Sequence, residues 1–163
     1  MRRRGQGILI AYSGLLIRCN SGMLLMLHYD EILKSVSSET LTHGVRVRTE
    51  SRYVPEKSDP RNRHYFFTYT IWISNEGDEP ARLLTRSWRI TDGTGYVRRA
   101  RGSGVQGKQP RLEPGETFTY TSASPLPAPI GHMRGCYHMV RDDGELFNVI
   151  IGEFLLLAPL QLN

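Results

Sequence analysis

From Val45 onward, apolar and polar positions alternate in short runs broken by turn residues, the pattern of a sandwich or barrel. Strands are expected over residues 45–54, 64–74, 81–91, 96–101, 116–124, 132–140 and 145–157. Seven strands in this span fit two packed sheets, so the expected fold is an all-β sandwich of about seven to eight strands. The run HYFFTYTIWIS concentrates aromatic and β-branched residues and reads as a central strand buried on both faces, with Trp72 and Trp88 in the core. Between strands, Pro114-Gly115 suits the centre of a type II turn. Asp92-Gly93 and Asp143-Gly144 are dipeptides favoured by two-residue hairpins. No long 3.6-residue period with helix caps occurs between Val45 and Leu157, which argues against βαβ units.

The pattern before residue 44 is different. Residues 1–43 form an extension poorly defined by their pattern, and residues 44–163 form the expected domain. MRRR followed by ILIAYSGLLI invites a signal-peptide or membrane reading, but Arg18, Asn20 and Ser21 interrupt the apolar run well short of the ~20 residues a spanning helix needs. Ile17-Arg18-Cys19 also lacks the small residues that signal peptidase prefers. A start at Met23 or Met26, with residues 1–22 outside the mature protein, is the competing reading. Asp30 to Leu41 is expected as a short helix or an irregular leading strand, with Leu27, Ile32, Leu33 and Val36 as its apolar set.

Composition changes this picture in two places. Cys19 and Cys136 are too far apart for a CxxC motif or a disulfide framework, so a reducing, cytoplasmic compartment is expected. The net charge of +5 over 163 residues suggests nucleic acid until its distribution is considered. Residues 1–43 hold five basic and three acidic residues, and the rest hold 16 and 13. Many of the arginines alternate with apolar residues, as in VRVRTESR and RLLTRSWRI, which is how the wet face of a strand looks. The one local concentration runs from Arg98 to Arg111, and the aromatics sit mainly in the expected core. No specific nucleic-acid partner and no membrane are therefore expected.

That concentration surrounds Gly102-Ser-Gly-Val-Gln-Gly107, a formal match to GxGxxG. Pro110 and Pro114 leave no helix to follow it in a useful register, which argues against a dinucleotide fold. The glycines would still let successive N–H groups point into one anion-binding concavity. The candidate ligand residues are Gly102, Gly104, Gly107, Arg99, Arg101 and Lys108, with Arg98 and Arg111 nearby. The alternative is a flexible connection with solvated charges.

His132, Cys136 and His138 share one strand parity, but strand rise spreads them over ~20 Å, far beyond the ~2.3 Å reach of a tetrahedral zinc. Cys136 and His138 with a partner such as His64 are the remaining metal combination; the alternative is a partly exposed histidine and an inert thiol. No motif joins a nucleophile to a base, and Asp142-Asp143-Gly144-Glu145 reads as a turn rather than a calcium loop.

The run GSGVQGKQPRLEPGETFTYTSASPLPAPIGHMRGCYHMV, from Gly102 to Val140, resembles the signature of the ApaG family. Its elements are a glycine-rich loop, Gln-Pro, a Pro-Gly-Glu turn and Gly-x-Met-x-Gly-x-Tyr-x-Met. Upstream, LLTRSWRITDGTG resembles the family's Arg/Ser-x-Trp-x-Ile-x-Asp step, and IGEFLLLAP its last strand. The likeness spans about residues 44–159.

It implies a fibronectin type III/immunoglobulin-like sandwich, no established catalytic activity and no cofactor. It also implies a link to cobalt and magnesium homeostasis, and a protein-interaction role like that of the same module in F-box proteins. Carried over, the loop comprises Gly102, Gly104, Gly107, Gln109 and Pro110, preceded by Trp88 and Asp92. His132, Cys136 and His138 fall on variable positions of the family pattern. The expected function is a non-enzymatic binding module with a protein partner still to be identified. The alternative is a binder of a phosphate-containing small molecule, pyrophosphate or a dinucleoside polyphosphate, at the glycine-rich loop. An exposed edge strand would also allow a homodimer by sheet extension.

Overall fold

The structure, a computed structural model, describes residues 9–12, 15–18 and 36–159. The chain divides into two compact units, Met1–Lys34 and Ser35–Asn163. In the first, β1 (Leu9–Tyr12) and β2 (Leu15–Arg18) pair antiparallel. The readings of Cys19, Met23, Met26, Leu27, Ile32 and Leu33 lie outside the described residues. No helix among the described residues is long and apolar enough to cross a membrane.

The second unit is the expected sandwich. Sheet one has the order β3 (Ser37–Thr42), β4 (Val45–Tyr53), β5 (Tyr65–Asn75) and β9 (Thr117–Leu126). Sheet two has the order β11 (Leu146–Leu157), β10 (Ile130–Arg141), β6 (Ala81–Asp92) and β7 (Val97–Ser103), and short β8 (Arg111–Leu112) also pairs with β6. All pairings within the sheets are antiparallel. Side chains at every second position meet between the sheets: Val45, Val47, Phe67, Ile71 and Ile73 from sheet one, and Leu83, Trp88, Met133, Tyr137, Ile151 and Phe154 from sheet two. Tyr69, Trp88 and Phe154 pack as an aromatic trio with centroids 5.6, 6.0 and 6.2 Å apart.

Four details refine or correct the expectations. First, of the short helix or irregular leading strand expected before residue 44, the strand form is found: SSETLT pairs regularly with β4, within the unit Ser35–Asn163. Its polarity hides it in the sequence, and its role explains the polarity. Ser38 Oγ donates to the Gly152 carbonyl (2.9 Å), Thr40 Oγ1 donates to the Ile150 carbonyl (2.6 Å), and Ser51 Oγ of β4 donates to the Leu155 carbonyl. These hydroxyls lace the outer edge of β11 to the other sheet and remove it as a template for strand addition.

Second, β5 is buried on one face only. Trp72 lies opposite in parity to Ile71 and Ile73, on the outer side of sheet one, with the Arg48 guanidinium 5.0 Å from its ring centre. No further layer covers that face among the described residues, so period-2 geometry turns Trp72 outward however apolar it is.

Third and fourth, neither Asp-Gly dipeptide forms a two-residue hairpin. Asp92–Tyr96 and Arg141–Glu145 each enclose three residues, with Gly95 (φ 86°) and Gly144 (φ 93°) in the left-handed position before the strand resumes. Pro114-Gly115 does make its turn, with Gly115 at φ 85° and Glu116 N donating to the Glu113 carbonyl.

Asp92 closes the first of these turns. Its buried Oδ1 accepts from Thr94 Oγ1 (2.6 Å), Thr94 N (2.8 Å) and Tyr96 N (3.2 Å). The Thr94 hydroxyl, aided by the two amides, holds this carboxyl below the ordinary carboxylate range. A carboxyl with a depressed folded pKa contributes stability above its unfolded value of ~3.9, and loses it as pH falls through the lower folded value. The advantage of the native chain over Asp92→Asn in urea unfolding is therefore expected to hold at neutral pH and vanish in acid, below about pH 4. An advantage that stays constant into strong acid would remove the charged hydrogen bonds from the account.

Candidate functional site

The β3–β11 side of the sandwich is laced, and on the other side β7 of sheet two and β9 of sheet one are both edge strands. Between them lies a cleft of about 400 Å³. Tyr69, Trp88, Ile90, Tyr120 and Met133 line it with apolar and aromatic surface, and Arg86, Arg98, Arg101, Gln106, Ser122 and Ser124 supply its polar groups. A smaller cavity of about 130 Å³ shares Ile90 and Arg98 and continues toward Tyr96, Pro125 and Pro127. Behind the floor, the Tyr120 and Tyr137 hydroxyls share a buried hydrogen bond of 2.6 Å. Burial pushes both phenols up, so they stay protonated and act as fixed dipoles.

The glycine-rich segment forms one wall. β7 and β8 both run along β6, so residues 104–110 are an excursion from a single edge track. Within it, Val105 and Lys108 exchange backbone bonds of 2.8 and 3.0 Å around Gln106 (φ 49°) and Gly107 (φ 73°). That is the type I′ hairpin, whose two central residues both take positive φ. Val105 plugs into the core at 1% exposure, and Gln106 Nε2 donates to the Thr121 carbonyl of β9. The excursion is thus a strap from the edge of one sheet to the edge of the other. Gly104 is required at its base: a Cβ there would lie 2.0 Å from the Lys108 carbonyl oxygen, and its φ is 56°.

Two of the positions singled out from the sequence, Gly102 and Gly104, shape the cleft, and Arg101 lines it. At Gly102 a Cβ would sit 3.0 Å from Nη1 of Arg86, so the missing side chain leaves room for that guanidinium. Arg99 lies opposite Arg89 on the outer face of sheet two, and Gly107 and Lys108 are at the exposed hairpin tip. Three N–H groups of the loop are engaged internally: Gly104 N with the Leu84 carbonyl, Val105 N with that of Lys108, and Lys108 N with that of Val105.

The sequence reading did not single out Arg86, which carries the inner end of the cleft. Its Nη1 donates to the Ser103 (3.1 Å) and Gly104 carbonyls and pins the base of the strap. A signal for it existed, because Arg86, Trp88 and Ile90 share one parity, and an arginine in register with two core residues must have a polar environment inside. Arg98 reaches across the mouth to Ser124 Oγ (3.4 Å).

The charge is organised around this edge. Arg86, Arg98 and Arg101 in the cleft, and Arg89, Arg99 and Arg134 on strands of the same sheet, form no ion pair with any described residue. Arg46, Arg111 and Arg141 instead meet Glu76, Asp142 and Glu79 at the acid-rich end where β5, β8 and β10 turn.

The metal candidates each have separate partners. His138 Nδ1 bonds Asn148 Oδ1 (2.6 Å), His132 Nδ1 meets Glu153 Oε2 (2.9 Å), and the Cys136 thiol donates to the Tyr137 carbonyl (3.4 Å), its pKa raised by burial. His64 sits in the β4–β5 connection beside Phe66. No three His, Cys, Asp or Glu side chains gather at one point among the described residues.

Comparison with known proteins places this geometry in a lineage. The family model described as the ApaG domain matches residues 55–141. Protein ApaG of Bordetella pertussis is 52% identical over 121 residues, covering 74% of this chain and 92% of that protein. Protein ApaG of Dechloromonas aromatica is 48% identical over 126 residues, covering 77% and 99%. The crystal structure of the putative ApaA protein from Bordetella pertussis superposes with a TM-score of 0.70 at 51% identity, covering 76% of this chain and 98% of that one. A family model that takes in the strap and the cleft, and relatives about half identical over nearly their whole length, establish that this chain belongs to the ApaG family.

Proposed function

We propose that this chain is a non-enzymatic binding module that holds an anionic ligand in the cleft between β7 and β9. The observation that carries this reading is Arg86, Arg98 and Arg101 lining an aromatic-floored cavity whose other lining residues include no carboxylate. Guanidinium groups offer planar, bidentate donors to carboxylate or phosphate, and these three form no ion pair with any described residue. The lining also lacks histidine and cysteine, so no group there serves as a general base near neutral pH, which supports recognition rather than turnover.

The unpaired thiol of Cys136 suits a cytoplasmic, reducing compartment. A link to cobalt or magnesium homeostasis runs, in this reading, through the bound partner, since the described residues gather no metal-ligand set. The second reading, a small phosphate compound such as pyrophosphate or a dinucleoside polyphosphate, is favoured by the cleft volume, which falls in the ~300–1,000 Å³ range of small-molecule sites. In that reading Arg86 and Arg98 join Arg101 and the Gly102–Gly107 segment, with Arg99 and Lys108 outside the first contacts.

Titration of the labelled protein with inorganic pyrophosphate and with polyglutamate, followed by amide NMR, tests both readings. Shifts centred on Arg98, Tyr120 and Ser122 are expected for at least one anion. Arg98→Ala is expected to weaken that binding about tenfold, the loss of one charge-assisted hydrogen bond. Arg61→Ala, in the β4–β5 connection, should leave it unchanged. If neither anion moves the cleft resonances, the module reading of this site fails.

A further inference from the structure

Among the described residues, nothing pairs with the outer main-chain edge of β7. Asp92 N donates to the Tyr96 carbonyl (3.1 Å) at one end of the β6–β7 ladder, and Gly104 N donates to the Leu84 carbonyl (2.8 Å) at the other. In an antiparallel pair the bonded positions alternate, so Tyr96, Arg98, Ala100, Gly102 and Gly104 face β6, and Val97, Arg99 and Arg101 turn their N–H and C=O groups away from it. Those groups meet no other described residue. The other edges are managed differently. β11 is laced by the β3 and β4 hydroxyls, and β9 accepts the Gln106 strap and carries Pro125.

The side chains along β7 state what would pair with it. The register places Arg98 and Ala100 on the inner face opposite Ile90 and Trp88, and Arg99 on the outer face opposite Arg89; Arg101, opposite Ser87, shares the parity of Arg99 and also borders the cleft. A strand laid on this edge therefore meets arginine on both faces, and the described residues supply no acid to pair with it. A second copy of the chain is a poor occupant: pairing β7 with β7 would set arginines against arginines, and like charges across a strand pair destabilise it. Arginines alone would only keep an edge from self-association. Here a cleft opens beside the edge, with an apolar continuation at Tyr96, which is 68% exposed, and Pro125 and Pro127.

We propose that the β7 edge receives an acidic, extended segment of a partner protein, which adds to sheet two as a further strand. Its main chain bonds Val97, Arg99 and Arg101, its acidic side chains meet the arginines, and an apolar side chain enters the groove beside Tyr96. This rests on the cleft being an anion-recognition surface and names the partner of that surface.

The test uses the full chain and a fluorescent octapeptide of alternating glutamate and valine, read by polarisation and by amide exchange. Saturable binding is expected, with slowed exchange at Val97, Arg99 and Arg101. Affinity should fall at least tenfold for the same peptide N-methylated at alternate amides, and at least tenfold for Arg99→Glu, whose exposed side chain lies outside the cleft lining and leaves the thermal midpoint unchanged. A lysine–valine peptide should not bind. Equal affinity for the N-methylated peptide, protection elsewhere than β7, or no binding would each overturn strand addition. If pyrophosphate or polyglutamate still shifts the cleft resonances while the peptide fails, only this inference falls and the anion-binding reading stands.

Discussion

Gly104→Val is expected to lower the unfolding free energy by about 3 kcal/mol and to release the strap. The left-handed conformation at φ 56° costs an L-residue about 1–2 kcal/mol. The new Cβ also falls 2.0 Å from the Lys108 carbonyl oxygen, so the Val105–Lys108 pair must separate. That separation withdraws Val105 from the core, and a buried valine contributes roughly 1.5–3 kcal/mol. It also removes the Gln106 bond to β9, and with it one wall of the cleft. Chemical denaturation measures the stability, and amide exchange at Val105 and Lys108 reports the strap. Gly107→Ala is the control. It too has positive φ (73°), but a Cβ there meets nothing within 4 Å, so only the conformational part, about 1 kcal/mol, is expected. Equal losses at the two positions would mean that the close approach at Gly104 does not hold the loop.

Phe154→Ala is expected to cost about 4 kcal/mol, within the ~3–5 kcal/mol range for a buried phenylalanine and a large part of the ~5–15 kcal/mol that holds a typical domain together. Phe154 is 1% exposed, and its ring stands against both Tyr69 and Trp88. Those two residues are also part of the cleft lining, so the cavity left behind lets the floor of the site settle. The variant is therefore expected to lose ligand affinity as well as stability, although Phe154 itself does not line the cleft. Urea unfolding with unchanged slope, together with titration at a temperature where the variant is folded, separates the two effects. A loss under about 1.5 kcal/mol would show that the surrounding side chains close over the gap and that the trio is not a rigid support.

What the sequence made legible follows from how local each signal is. Seven runs of alternating polarity became β4, β5, β6, β7, β9, β10 and β11, because period-2 patterning and turn residues act within a few positions. SSETLT reads only as a short helix or an irregular strand, because its hydroxyls serve the backbone of β11, more than a hundred residues away. HYFFTYTIWIS misled because its composition is apolar on both parities, whereas no further layer covers sheet one among the described residues and Trp72 faces outward. At the site, the basic crowding near the glycines was visible in the chain. Its inner member was not, because Arg86 precedes the loop by 16 positions and meets Gly102 only through the β6–β7 register.

The sandwich, most of its strands and the place of the glycine-rich turn are legible from local pattern, because propensity, alternation and glycine conformational freedom are properties of neighbouring residues. Strand order settles which strands are edges, which edge is laced, and which arginines border one cleft without an ion pair among the described residues. Those depend on pairings between strands far apart in the chain, and no local pattern encodes the order in which strands lie side by side. The glycine loop shows the division most plainly: its residues permit a concavity of N–H groups, and the fold instead engages three of those groups to build a strap beside an arginine-lined cleft.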